Sequence, residues 1–366
     1  MKSVSSLTVR RSLIASALAL ISAGAATNAA IATPEADPYA IVLKVLDTHI
    51  IPHVAAFRVA AAKLPDTVAR VCERGDKASR RAVTKSFRDA VESYAAIEFL
   101  RFGPLQQSGL REKLSFWPDP RGILPRQMRQ LLTSPDAATA DVAFIKKQSA
   151  ALQGLPALEI LLTDRKALLA PGPGSATQCT LAKSIAGAIA DNAAAFDAAW
   201  TKDGGWKDKM LRPGSDNDTY KEPSEAASEL VKALLVGFQL VADVQVKPRL
   251  DALDAKGNAT GPYAASNLTQ VHYTAFVTSL NQFYDTLGLE QYLGDDQLWI
   301  KNWASGAWRA IRSSDGLGGR VADASRSSSP TLREVFDKTT GLRKLVSREL
   351  ATASHLTVGF NELDGD

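Results

Sequence analysis

The sequence predicts an all-α protein, and three observations carry that prediction. Apolar residues recur at intervals of four or seven positions along much of the chain, which is the spacing of one face of a helix. The alternating runs that form strands are sparse. Glycine, proline and polar stretches interrupt the periodic segments at points where helices would end.

Four helical segments are predicted in the first half of the chain. They cover Tyr39 to Leu64, Asp76 to Phe102, Ser134 to about Leu152, and the segment that carries Glu159. Gly103-Pro104 ends the second segment, because proline cannot continue a helix. Ser134-Pro135 opens the third, since serine is a good N-cap and proline suits the first helical turn.

Five further helices are predicted after the Pro171-Gly-Pro-Gly174 break. Their apolar stripes run from Leu181 to Trp200, Leu230 to Val241, Phe276 to Leu287 and Trp299 to Ile311, and a last helix follows Ser329-Pro330. The break predicts two helical bundles, residues 33–170 and residues 175–366. Three polar stretches, 203–223, 256–262 and 313–330, are expected to be loops.

The first 32 residues are typical of a secretory signal peptide. Basic residues precede an apolar run from Leu13 to Ile21, and small residues follow it. Loss of Lys2, Arg10 and Arg11 with this leader lowers the net charge from +4 by three, to +1. The mature chain then has almost no net positive charge, so we expect no nucleic-acid partner. We also expect no transmembrane span, because no segment reaches roughly twenty apolar residues.

The chain has only two cysteines, Cys72 and Cys179. Export would place both in an oxidising compartment, where a disulfide between them is the simplest expectation. Two thiols without further ligands at zinc-type spacing make a poor metal site.

The run from Gly154 to Leu162 resembles a metal-site motif that lacks one ligand. The usual form has glycine, any residue, histidine, two residues and glutamate at the start of an apolar helix. Gly154 and Glu159 are present here, but Pro156 occupies the histidine position. Proline has no nitrogen that can bind a metal.

Three other segments join this run in resembling the imelysin-like family of exported bacterial proteins. They are Phe99 to Pro104 with Phe116 to Asp119, Ser266 to Leu268 with Leu280-Asn281 and Gly288-Leu289, and the terminal Gly359 to Asp366. The resemblance implies two related four-helix-bundle-like halves and a location in the periplasm or cell envelope. It also implies either a metal-dependent peptidase activity or a connection with iron uptake and iron-regulated operons.

Five residues are candidates for a ligand cleft between the halves: Gly154, Glu159, Trp117, Asp119 and Glu98. Each carboxylate has a structural alternative. Glu159 could complete a helix cap, and Asp119 could cap the segment after its turn. Glu98 could pair with Arg101 or Arg88.

The metal candidates are His49, His53 and Glu159. The two histidines are four residues apart, so they share one helix face as zinc ligands often do. No glutamate follows His49 to act as a base, and ordinary surface or core histidines are the alternative.

We therefore expect an exported, non-catalytic binding protein of the imelysin-like type. Its ligand would be iron, another divalent metal or an iron complex, or its partner would be an envelope protein. The alternative is a metal-dependent peptidase with an altered ligand set.

Overall fold

The computed structural model describes residues 35–164, 169–255, 260–314 and 328–357. The predicted leader and the terminal segment 359–366 lie outside these ranges, as does most of the predicted loop 313–330. The residues within these ranges form one compact unit. The division into bundles 33–170 and 175–366 stays a prediction.

The all-α prediction is confirmed, since the described residues form helices and no strand. The helices of the first half are α1 Pro38–Val45, α2 Ile51–Ala61, α3 Leu64–Arg74, α4 Lys77–Ala95, α5 Leu110–Leu114, α6 Ile123–Leu132, α7 Val142–Lys147 and α8 Leu155–Thr163. Those of the second half are α9 Ala176–Thr201, α10 Trp206–Leu211, α11 Pro223–Gln239, α12 Lys247–Asp254, α13 Thr269–Leu287, α14 Trp299–Arg312, α15 Ser328–Leu345 and α16 Ala351–Ala353. One-turn π-helical segments join α1 to α2, α11 to α12 and α15 to α16.

Side-chain caps explain where several helices begin. The Asp76 carboxylate accepts the backbone N–H of Ser79 at 2.7 Å and opens α4. Glu222 and Glu225 form a capping box at the start of α11. Gly288, with φ of 65°, ends α13 in the left-handed region that glycine tolerates best.

The predicted helix from Ser134 to Leu152 is wrong. The chain there forms a 3₁₀ turn, the short helix α7 and a second 3₁₀ turn. Asp141 causes the restart, because its carboxylate accepts the N–H of Phe144 at 2.7 Å and caps a new helix. The predicted helix to Phe102 also overruns, since α4 ends at Ala95. The predicted loop 203–223 contains α10.

One hydrophobic core runs from Ile41 to Leu356 and is shared by both halves of the chain. Helix α2 packs on α4 and α9, α1 packs on α11 and α13, and α4 packs on α13. The predicted disulfide between Cys72 on α3 and Cys179 on α9 is formed, with Cα atoms 5.7 Å apart.

One continuous helical stretch, Pro38–Arg74, is long and apolar enough to cross a membrane by length and composition alone. It contains α1, α2 and α3, whose apolar residues contribute to the shared core. Core helices often pass this test, so the stretch is weak support for a membrane span.

Candidate functional site

The motif helix α8 begins where the resemblance places it, but its glycine has a packing role. A Cβ on Gly154 would overlap the carbonyl oxygen of Leu114 at the end of α5. Only glycine lets the two backbones approach this closely. Pro156 is buried in the first turn of α8, where the lack of an N–H is tolerated.

Glu159 projects from α8 toward a turn in the second half of the chain. It is 8% exposed, and its Oε1 accepts the backbone N–H of Ser266 at 2.8 Å and the Ser266 hydroxyl at 2.6 Å. Burial raises the pKa of Glu159, and the hydrogen bonds from Ser266 and the backbone of Ala265 oppose that rise. The carboxylate therefore joins the motif helix to residues that follow it by more than a hundred positions.

The turn that Glu159 contacts is held by bonds of its own. Tyr263 and Asn267 have φ of 56° and 58°, a left-handed conformation that is unusual for residues other than glycine. The N–H of Leu268 donates to the carbonyl of Tyr263 at 3.0 Å, and the hydroxyl of Ser266, which donates to Glu159, lies 3.1 Å from the same carbonyl. The Tyr263 hydroxyl lies 3.0 Å from the hydroxyl of Ser115. These contacts hold the turn in its left-handed backbone conformation.

Asp119 caps α6, the structural alternative considered from the sequence. Its two carboxylate oxygens accept the N–H groups of Ile123 at 2.9 Å and Leu124 at 2.8 Å. Trp117, two residues earlier, is half-buried. The cap holds the turn between Trp117 and the start of α6.

These segments enclose a cleft of about 690 Å³. Its lining includes Phe116, Trp117, Asp119, Pro156, Glu159 and Tyr263. The structure thus brings together three of the five predicted cleft residues, Trp117, Asp119 and Glu159. Gly154 and Glu98 are not part of this lining.

Glu98 lies instead in a buried pair with His272 of α13. Its Oε2 is 2.7 Å from Nε2 of His272, and the two residues are 5% and 1% exposed. Burial alone would raise the pKa of Glu98, but the His272 charge and hydrogen bond, with the charges of Arg101 and Arg111, hold it below its usual value. The predicted partners were Arg101 and Arg88. No sequence pattern pointed to His272, because 174 positions separate the pair.

His49 and His53 stack on each other with ring centroids 4.3 Å apart. His53 donates from Nδ1 to the carbonyl of His49 at 2.7 Å. Burial, with a smaller effect of His53, lowers the pKa of His49 to about 3. Both residues are therefore close together, as the four-residue spacing predicts.

Ser279 lies beside His49 as a nucleophile lies beside its base, but its hydroxyl proton is donated to another group. Ser279 Oγ lies 3.1 Å from His49 Nε2 and donates to the carbonyl of Ala96 at 2.7 Å. A hydroxyl has one hydrogen, so we infer that His49 donates to Ser279 and is neutral. A base must accept the nucleophile's proton, and this arrangement does the reverse.

The residues present do not fit a peptidase metal. Among the described residues there is no group of three or more His, Cys, Asp or Glu side chains that could hold a metal ion. The predicted set of His49, His53 and Glu159, all of them described, is therefore not such a group.

The protein is therefore all-helical, and its motif helix α8 lines a cleft together with a turn that follows more than a hundred positions later. A family model for imelysin matches residues 50–358. The chain therefore belongs to the imelysin family. A search of curated proteins finds no match.

Two solved structures share the fold. An imelysin-like protein from Psychrobacter arcticum 273-4 is 20% identical, with a TM-score of 0.73 over 89% of this chain and 100% of its own. An iron-regulated protein A precursor from Parabacteroides distasonis ATCC 8503 is 12% identical, with a TM-score of 0.66 over 86% of this chain and 96% of its own. At these identities the likeness concerns the fold alone.

Proposed function

We propose that this protein is an exported, non-catalytic binding protein of the periplasm or cell envelope that serves iron-related physiology. Its ligand occupies the cleft between α8, the turn at Trp117–Asp119 and the turn at Tyr263–Asn267. The cleft itself carries the proposal: its volume of about 690 Å³ is within the range of small-molecule sites.

The non-catalytic part rests on the side chains of the motif. Pro156 cannot bind a metal, and two of the hydrogen bonds that Glu159 accepts come from Ser266. A hydrolytic metal site needs about three protein ligands around an open position. The peptidase alternative lacks such a set among the described residues.

Two observations support the location, and one supports the link to iron. The first 32 residues have the pattern of a signal peptide, and a disulfide suits an oxidising compartment. One protein of similar fold is named as iron-regulated. An iron complex, a metal ion or an envelope protein partner would each suit this role.

Calorimetry of the purified chain with ferrous, ferric and zinc ions and with haem tests the proposal. Saturable binding of at least one of them is expected, and Ala264→Trp should remove it by filling the cleft that Ala264 lines. Val59→Trp, which places the same side chain on an exposed position of α2, is the matched control. Absence of binding to all four would refute the iron-ligand role. Casein cleavage that a chelator abolishes would favour the peptidase alternative.

A further inference from the structure

The cleft has an uneven distribution of charge that narrows its ligand. Its lining contains two carboxylates, Asp119 and Glu159, and the described lining residues include no lysine, arginine or histidine. Arg121 and Arg126 are exposed on the neighbouring loop and helix α6 but are not among the lining residues. An anion that entered would lose water beside two like charges; the guanidinium of Arg249 lies behind Gly261 of the wall, but it is buried and donates to the carbonyl of Gln245.

The remaining walls are apolar and partly aromatic. Phe116, Trp117, Pro125, Pro156, Ile160 and Pro262 contribute to them. An apolar body the size of a ring system fits such walls, and an indole ring also attracts a cation over its face. A hydrated metal ion could interact with the two carboxylates but not with these apolar walls.

Glu159 retains the capacity to meet a charged group. A carboxylate has about four acceptor sites. Both donors from Ser266, its hydroxyl and its N–H, use Oε1. Oε2 therefore keeps acceptor capacity for a ligand in the cleft that Glu159 lines, on a side chain whose neighbours already fix its orientation.

We infer that the cleft binds an organic cation, an amine or guanidinium carried on an apolar ring-sized body. The inference rests on the proposed function, in which this cleft is the ligand site, and it goes further by naming the ligand's chemistry. An iron complex that suits the cleft would accordingly carry a positive charge, whereas one with free carboxylates would be disfavoured.

Three probes of nearly equal shape separate charge from size: tryptamine, tryptophol and indole-3-acetate. Ligand-observed NMR titration at pH 8 keeps the amine positive and the acid negative. The dissociation constant should rise in the order given, with tryptamine binding at least about tenfold more tightly than indole-3-acetate. Equal or tighter binding of the acid would overturn the inference, and so would the failure of all three to bind.

Glu159→Gln isolates the charge, because a glutamine oxygen can still accept from Ser266. The preference for tryptamine over indole-3-acetate should shrink to less than about threefold, while tryptophol binding stays within about twofold. Asp66→Asn, the same charge change at an exposed position of α3, should leave all three constants unaltered. A melting curve by circular dichroism checks the variant's fold, and if it unfolds the wild-type ranking decides alone.

The outcome is separable from that of the proposed function. Iron or haem binding without any preference for tryptamine would overturn only the inference about charge. If no iron species, haem or indole probe binds, the proposed function fails as well.

Discussion

Protonation of His49 should destabilise the protein in a measurable way. The side chain is 1% exposed, stacked on His53 and bonded to Ser279. Burial lowers its pKa from 6.5 to about 3 in the folded chain. The unfolded chain therefore binds the proton more readily between these two values, so stability falls as the pH drops from 6.5 toward 3.

The size of the effect follows from the two pKa values. Each pH unit inside the window removes about 1.4 kcal/mol, and between pH 7.5 and 5.0 the loss amounts to about 2 kcal/mol. Acidic groups that titrate mainly below this interval contribute less to it. Glu159 acts in the opposite direction, because burial raises its pKa and favours the folded state on acidification.

Urea denaturation at pH 7.5 and 5.0 measures the effect in the wild type and in His49→Gln. Glutamine cannot be protonated, so the variant should lose about 2 kcal/mol less between the two pH values than the wild type does. His355→Gln, at an exposed position, should keep the wild-type slope. Identical pH dependence in His49→Gln and the wild type would refute the reasoning that His49 is buried and neutral.

Three further predictions concern the frame around the cleft. Replacing Cys72 and Cys179 together by alanine opens a loop of 107 residues, for which chain entropy gives about 4.8 kcal/mol as an upper value. We expect the free energy of unfolding, measured in urea, to fall by about 2–5 kcal/mol, and a reductant to lower it equally in the wild type. A wild type indifferent to reductant would contradict this. Gly154→Ala should lower stability by about 2 kcal/mol, because its methyl group meets backbone, and an unchanged thermal midpoint would argue against the close approach. The lowered pKa of Glu98 stabilises the wild type above about pH 4.5, and this stabilisation is lost as the pH falls through the pKa of Glu98 in the folded state. Glu98→Gln should lack this stabilisation. If the variant lost stability on acidification as the wild type does, the pair with His272 would not be ionised.

Much of the fold could be predicted because its signals are local. Helical spacing of apolar residues located the long helices α9, α11 and α13. The presence of only two cysteines, in a chain expected to be exported, predicted the disulfide between Cys72 and Cys179. Boundaries were less accurate where a polar side chain competes with helix continuation. Asp141 restarts the chain within one predicted helix because its carboxylate caps the backbone that follows.

The sequence predicted some residues of the candidate site but not the residues that they contact. Local patterns marked Trp117, Asp119 and Glu159, each of which lines the cleft. Ser266 lies in a segment marked by the family resemblance, but nothing local paired it with Glu159, 107 positions away. Nothing local paired His49 with Ser279 either, because 230 positions separate them.

The sequence by itself determined the helical class, the disulfide and the family, because periodicity, cysteine content and motif order are properties of the chain alone. It also determined that Pro156 cannot act as a ligand. Only the tertiary structure decided what the motif residues contact. Glycine at 154 is needed because another helix's backbone passes within contact distance, and Glu159 bonds to Ser266 because packing of the two halves around one core brings them together.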